Sequence, residues 1–141
     1  MIQDTLQRFV DAQERDYETA LNEIRNGRKR SHWMWYIFPQ VAGLGFSETS
    51  KYYAISDWEE AGRYLRHPVL GSRLLEISRE LLNLATDDAT AVFGSPDDLK
   101  LRSCMTLFSA VPDAYPAFQA VLDKYFAGIP DSKTLKILSP E

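Results

Sequence analysis

The chain holds one cysteine, Cys104, and two histidines, His32 and His67, in 141 residues. A single cysteine forbids an intrachain disulfide, and one thiol with two imidazoles falls short of a structural zinc site, so no metal is expected. No run approaches the ~20 consecutive apolar residues that span a bilayer. There is no phosphate loop of the G-x-x-x-x-G-K type, no G-x-G-x-x-G fingerprint and no G-x-S-x-G elbow. The common NTPase, dehydrogenase and serine-hydrolase classes are set aside on that ground, and no cofactor is expected. The first residues show no charged stretch followed by an apolar one, so no secretory leader is expected. The expected location is cytoplasmic, with reduced thiols. Excess positive charge is missing too. The net charge is −4 and the pI about 5.2, which argues against a general nucleic-acid or membrane surface but leaves room for a local basic site.

What is present suits one compact domain over residues 1–141. Apolar residues make up 45% of the chain and aromatics 12%, enough to bury a core. Ile2, Leu6, Phe9, Gln13, Tyr17, Ala20 and Ile24 recur at threes and fours, one face of a helix that Asn26-Gly27 stops. Leu70, Leu74, Ile77, Leu81 and Leu84 make a second stripe and predict a helix over residues 69–85. Shorter helices are expected behind Ser47, behind Ser56 or Asp57, and after the turn or cap Thr86-Asp87-Asp88, ending at Gly94. A further one starts with Ser95 as cap and Pro96 in its first position, one follows Asp113, and a last short one follows Asp131. The expectation is a mostly α domain of about six to eight helices with little or no sheet. Cys104 reads as a small core residue, and His67, before Pro68, as structural.

Residues 27–40 break the pattern. Arg28, Lys29 and Arg30 are followed by Ser31-His32-Trp33-Met34-Trp35-Tyr36-Ile37-Phe38 and closed by Pro39. The run is apolar throughout, so periodicity does not separate helix from strand. A helix capped by Ser31 fits the helical remainder of the chain; a strand would put Trp33 and Trp35 on one face. Two readings of its purpose stand side by side. In one it is a small-molecule pocket: aromatic planes stack on a base or sugar, Arg28, Lys29 and Arg30 hold phosphate, and the N–H groups of a helix starting at Ser31 face the same anion. In the other the tryptophans are core and the cations complement the end of the preceding helix.

Residues 95–103 form a second polar block. Asp97 and Asp98 sit in the first turn of the expected helix, and Lys100, Arg102 and Ser103 bring polarity to an otherwise apolar segment. Asp98 with Arg102, and Asp97 with Lys100, have the spacing to pair. Such pairs suit a solvated helix face; carboxylates removed from solvent there would instead suit a general base or an oxocarbenium stabiliser.

These blocks, together with Gly43-Leu44-Gly45, Tyr53-Ala54-Ile55 and His67-Pro68-Val69-Leu70-Gly71, resemble the signature segments of the DUF1810 family across nearly the whole chain. Ser103-Cys104-Met105 stands where that family has Ser-Ser-Met. The resemblance implies no established activity. The calpastatin label often given to such chains does not suit this one, because calpain inhibitors are extended and disordered. Residues 53–98, with Phe93-Gly94 and Ser95-Pro96-Asp97, also resemble the NADAR (YbiA-like) families, which implies ADP-ribose or N-glycoside chemistry; the glycine- and asparagine-containing C-terminal block of those proteins is missing here.

The functional expectation is a pocket for a phosphorylated nucleoside or an ADP-ribose-like ligand, with hydrolysis of an N-glycosidic bond as the chemistry it would support. Arg28, Lys29, Arg30 and Ser31 would bind phosphate with help from Lys100, Arg102 and Ser103. Trp33 or Trp35 would stack on the base, Asp97 or Asp98 would activate water or stabilise positive charge on the ribose, and His32 would carry protons. The alternative is a non-catalytic protein-interaction module whose basic run docks an acidic segment.

Overall fold

A computed structural model of the chain describes residues 5–139. Ile2, the first member of the leading stripe, lies outside the described residues. Nine helices occur among the described residues: α1 (Gln7–Arg25), α2 (Met34–Ile37), α3 (Glu48–Tyr52), α4 (Trp58–Arg66), α5 (Leu70–Asn83), α6 (Ala89–Phe93), α7 (Asp97–Ser109), α8 (Pro116–Phe126) and α9 (Ser132–Leu138). Three of them, α2, α3 and α6, are only four or five residues long, which is why the count exceeds the expected six to eight. The only β contact among the described residues is a parallel bridge between Val41 and Ile55.

The helix at the centre is α7. Seven of the eight positions from Leu101 to Phe108 are buried, so it is covered all round rather than along one stripe. It packs against α8, α6, α9 and α4, while α5 packs against α8, α1 and α4. An aromatic chain crosses the interior. The Phe9 ring meets Tyr64 edge-on at 5.3 Å, Tyr64 meets Phe108 at 5.1 Å, and Phe108 meets Phe118 at 6.2 Å. A second cluster joins Trp33, Phe38 and Phe93 at 5.7–6.4 Å. Cys104 is fully buried, and burial pushes its thiol pKa well up.

The ends of the elements follow local chemistry. The side chains of Ser47, Asp57, Asp88 and Asp131 accept backbone N–H groups at the starts of α3, α4, α6 and α9. His67 does the same for α5: its Nδ1 accepts from the N–H groups of Val69 and Leu70 at 3.1 and 3.2 Å. At the other end of α5, Lys124 Nζ donates to the carbonyls of Leu81, Leu82 and Leu84. Where α4 turns into α5 the backbones nearly touch: a Cβ on Gly71 would sit 2.1 Å from the Leu65 carbonyl oxygen.

Three expected caps are absent. The residue flanking α2 at its start is Trp33, not Ser31, and its side chain does not cap the helix. The single turn starts late because Ser31 is committed elsewhere, as described below. α7 begins with Pro96 as its uncapped flanking residue and Asp97 as its first helical one, one position later than expected. Asp113 does not open α8; it sits in the left-handed region at φ 62°, and the helix starts after Tyr115 with Pro116 in its first turn.

Candidate functional site

Residues 30–33 wrap an anion that the chain supplies itself. The carboxylate of Glu23, in the last turn of α1, accepts the N–H groups of Arg30 (2.7 Å) and Ser31 (2.9 Å), the Ser31 hydroxyl (2.6 Å) and the Trp33 indole N–H (2.9 Å). Burial raises the Glu23 pKa, but the hydrogen bonds from Ser31, Arg30 and Trp33 outweigh it and hold the group down at about 2. Glu23 thus takes the N–H groups at Arg30 and Ser31 and the Ser31 hydroxyl, donors expected from sequence to face a ligand phosphate. Ser31 is part of that cradle, not a helix cap. Trp33 is 1% exposed and belongs to the core, so it offers no face for stacking. Arg28, Arg30 and His32 are exposed and do not line the cleft described next.

A concavity of about 510 Å³ does open beside this region. Trp35 from α2 faces it together with the loop at Gly43–Leu44–Gly45, Lys51 from α3, Lys100, Arg102 and Ser103 from α7, and Asp131 and Lys133 at the start of α9. Four of the site residues expected from sequence, Trp35, Lys100, Arg102 and Ser103, are therefore brought together. The Lys100 ammonium stands 4.5 Å from the centre of the Trp35 ring, a cation–π contact that fixes both. Arg102 donates to the Ile129 and Pro130 carbonyls at 2.9 and 3.0 Å, so it holds the chain entering α9 and does not pair with Asp98. The Ser103 hydroxyl donates to the Leu99 carbonyl at 3.1 Å.

The two carboxylates differ. Asp97 accepts from Lys29 at 2.9 Å and from Lys100 at 3.1 Å. Burial would raise its pKa, but hydrogen bonds and charge from the two lysines outweigh burial and leave it lowered. Asp97 lies behind the cleft wall. Asp98 accepts from the Thr90 hydroxyl at 2.6 Å and from the Leu99 N–H at 2.8 Å and stands outside the cleft. Asp131, which does line it, accepts from the N–H and hydroxyl of Thr134 at 3.0 and 2.6 Å.

Sequence reasoning missed Lys51, Lys133 and Asp131. Each is a single polar residue on a short amphipathic helix or at its cap, and nothing in the local pattern distinguishes it from a solvated one. Neither Lys51 nor Lys133 takes part in an ion pair among the described residues. The cleft wall carrying Lys51 is tied to the core through Arg8, whose guanidinium donates to the Tyr52 and Ala54 carbonyls at 2.8 Å and pairs with buried Glu60 at 3.2 Å. No group of three His, Cys, Asp or Glu side chains among the described residues is arranged to hold a metal ion, and none of the helices among them is long and apolar enough to cross a membrane.

No curated protein matches the chain. Among solved structures, the crystal structure of the conserved hypothetical protein Rv1873 from Mycobacterium tuberculosis is similar, with 46% identity and a TM-score of 0.93 over 95% of this chain and 96% of that one. The helices and the segments that form the cleft fall within a family match spanning residues 3–138, so the chain belongs to the family described as Protein of unknown function (DUF1810).

Proposed function

We propose that the cleft bounded by Trp35, Lys100, Lys51 and Lys133 binds a small phosphorylated ligand of the nucleoside or ADP-ribose type. The observation that carries the reading is the meeting of an indole with an ammonium at 4.5 Å in a 510 Å³ cleft that also gathers Lys51, Arg102 and Lys133, on a chain whose net charge is −4. Cations concentrated against the overall charge favour an anion at that place. Trp35 supplies an apolar wall for a base or sugar, and two lysines without ion-pair partners among the described residues suit phosphate oxygens. The roles expected of Arg28, Arg30, Ser31 and His32 are not part of this proposal.

The reading stops at binding. Hydrolysis of an N-glycosidic bond calls for a carboxylate free to activate water or to face a developing positive charge. Asp97 is shared by two ammonium groups, Asp98 lies outside the cleft, and Asp131 caps α9. A second reading, a protein-interaction module, is favoured by Phe46, 87% exposed beside the glycine loop, and by Leu99, 54% exposed on the cleft wall.

A thermal-shift series with AMP, ADP-ribose and pyrophosphate tests the first. Saturation at 100 times Kd stabilises a fold by about 2.7 kcal/mol, a rise of several degrees in Tm. Trp35→Ala and Lys100→Met should abolish the rise, and Arg28→Ala should leave it intact. Flat curves at millimolar ligand with well-folded protein overturn the reading and leave the interaction module.

A further inference from the structure

Lys29 belongs to the basic run, yet its side chain is 8% exposed and lines no part of the cleft. Its N–H donates to the Val92 carbonyl at 2.7 Å, and its ammonium stands 5.1 Å from the Trp33 ring centre and 2.9 Å from Asp97. The other oxygen of the same carboxylate takes Lys100 at 3.1 Å, and Lys100 is in the cleft wall against Trp35. Two cations thus share one carboxylate, one cation inside the fold and one at the site. Lys100 and Asp97 alone would sum to no charge, and a neutralised ammonium attracts an anion weakly. The inner lysine alters that sum.

We infer that Lys29 is a positioning residue of the cleft that acts through Asp97: it cancels the Asp97 charge and so leaves Lys100 a net positive charge for a phosphate or pyrophosphate that Lys29 never touches. The inference rests on the cleft being an anion site. It also explains why a carboxylate stands 3.1 Å from a phosphate-binding lysine without defeating it: Asp97 fixes the direction of Lys100, and Lys29 removes the electrostatic penalty. The preferred ligand class follows, since a wall of net positive charge favours a multiply charged oxyanion over a neutral sugar or base.

The charge at Trp35 can be read without the ligand. In a Trp58→Phe background, with excitation at the red edge that spares tyrosine, only Trp33 and Trp35 fluoresce, and Trp33 is 1% exposed, so quenching by a solute reports Trp35. Iodide senses the local charge; acrylamide senses access alone. At low ionic strength Lys29→Met should lower the iodide quenching constant about two- to fourfold with acrylamide unchanged. Lys29→Met with Asp97→Asn should restore it, and Asp97→Asn alone should raise it. Pyrophosphate affinity should follow the same order, about tenfold weaker in Lys29→Met and recovered in the double variant. A purely structural lysine would move acrylamide and iodide together and would not be rescued by Asp97→Asn. Unchanged iodide quenching in folded Lys29→Met, or no rescue, overturns the inference; if that variant does not fold, a fall in iodide quenching in Asp97→Asn does so. Should the iodide pattern hold while the parent protein binds no pyrophosphate or nucleotide, the ligand reading fails and the charge balance stands.

Discussion

Glu23→Gln separates charge from shape at the cradle that shapes residues 28–33. One carboxylate oxygen accepts three N–H groups, from Arg30, Ser31 and Trp33, and the other accepts the Ser31 hydroxyl. Glutamine can keep this pattern, its carbonyl taking the three N–H groups and its amide donating to the Ser31 oxygen. What it loses is the charge. The Glu23 pKa is held at about 2 against an ordinary 4.5, because burial, which raises it, is outweighed by the four hydrogen bonds. Discounted for the solvent that reaches a half-buried side chain, the charge is worth about 1–2 kcal/mol. For a chain of this size that is about 3–7 °C in Tm. The folded-state pKa is depressed, so the contribution is complete above the unfolded value of 4.5 and is lost as pH falls toward 2. Urea unfolding of wild type and Glu23→Gln should show a constant gap from pH 8 to about 5.5, with less than half of it left at pH 3. A gap that stays the same down to pH 3, or no gap at pH 7, refutes the account of Glu23 as a resident anion. Glu23→Ala should be worse, by about 2–4 kcal/mol, because the buried Trp33 N–H is then left unpaired.

Three further outcomes follow from named contacts. Trp33→Ala should cost about 3–5 kcal/mol, whereas Trp35→Ala, at the cleft, should cost no more than about 2 kcal/mol; urea midpoints for the two distinguish core from site. Gly71→Ala drives a Cβ to 2.1 Å from the Leu65 carbonyl, so it should destabilise by about 1–3 kcal/mol or more, read as a fall in Tm, although alanine is the better helix former. Lys124→Met removes the donor to three carbonyls at the end of α5; a loss of about 1–2 kcal/mol is expected in chemical denaturation, with cleft binding unchanged.

Much of the scaffold was legible because burial there is one-sided. The stripes of α1 and α5 repeat at helical spacing, and Ser47, Asp57, Asp88 and Asp131 cap the helices expected behind them. α7 was placed by its acidic start, not by periodicity, which a helix covered on every side does not have. Residues 27–40 were legible only as unusual. Their composition states that cations and aromatics are adjacent; it does not state that Glu23, seven residues before Arg30, will take the donors. The cleft is less legible still. Trp35 and Lys100 belonged to blocks singled out on sequence, and the structure joins them. Lys51 and Lys133 reach the same space from short helices remote in the chain, and only tertiary packing brings them there.

The bridge between Val41 and Ile55 has a kinetic meaning. The Ile55 N–H donates to the Gln40 carbonyl and the Ala42 N–H to the Ile55 carbonyl, both at 2.8 Å, and these bonds close the chain segment that carries the glycine loop and α3 into a ring. That ring meets the helices through Arg8 and through few large buried side chains, Ile55 and Val41 chief among them. Amide hydrogens of residues 42–54 should therefore exchange with solvent through a small opening of their own while α5, α7 and α8 stay shut. A molecule seated against Lys51 would slow that exchange selectively, which makes the protection of this one segment a direct gauge of occupancy.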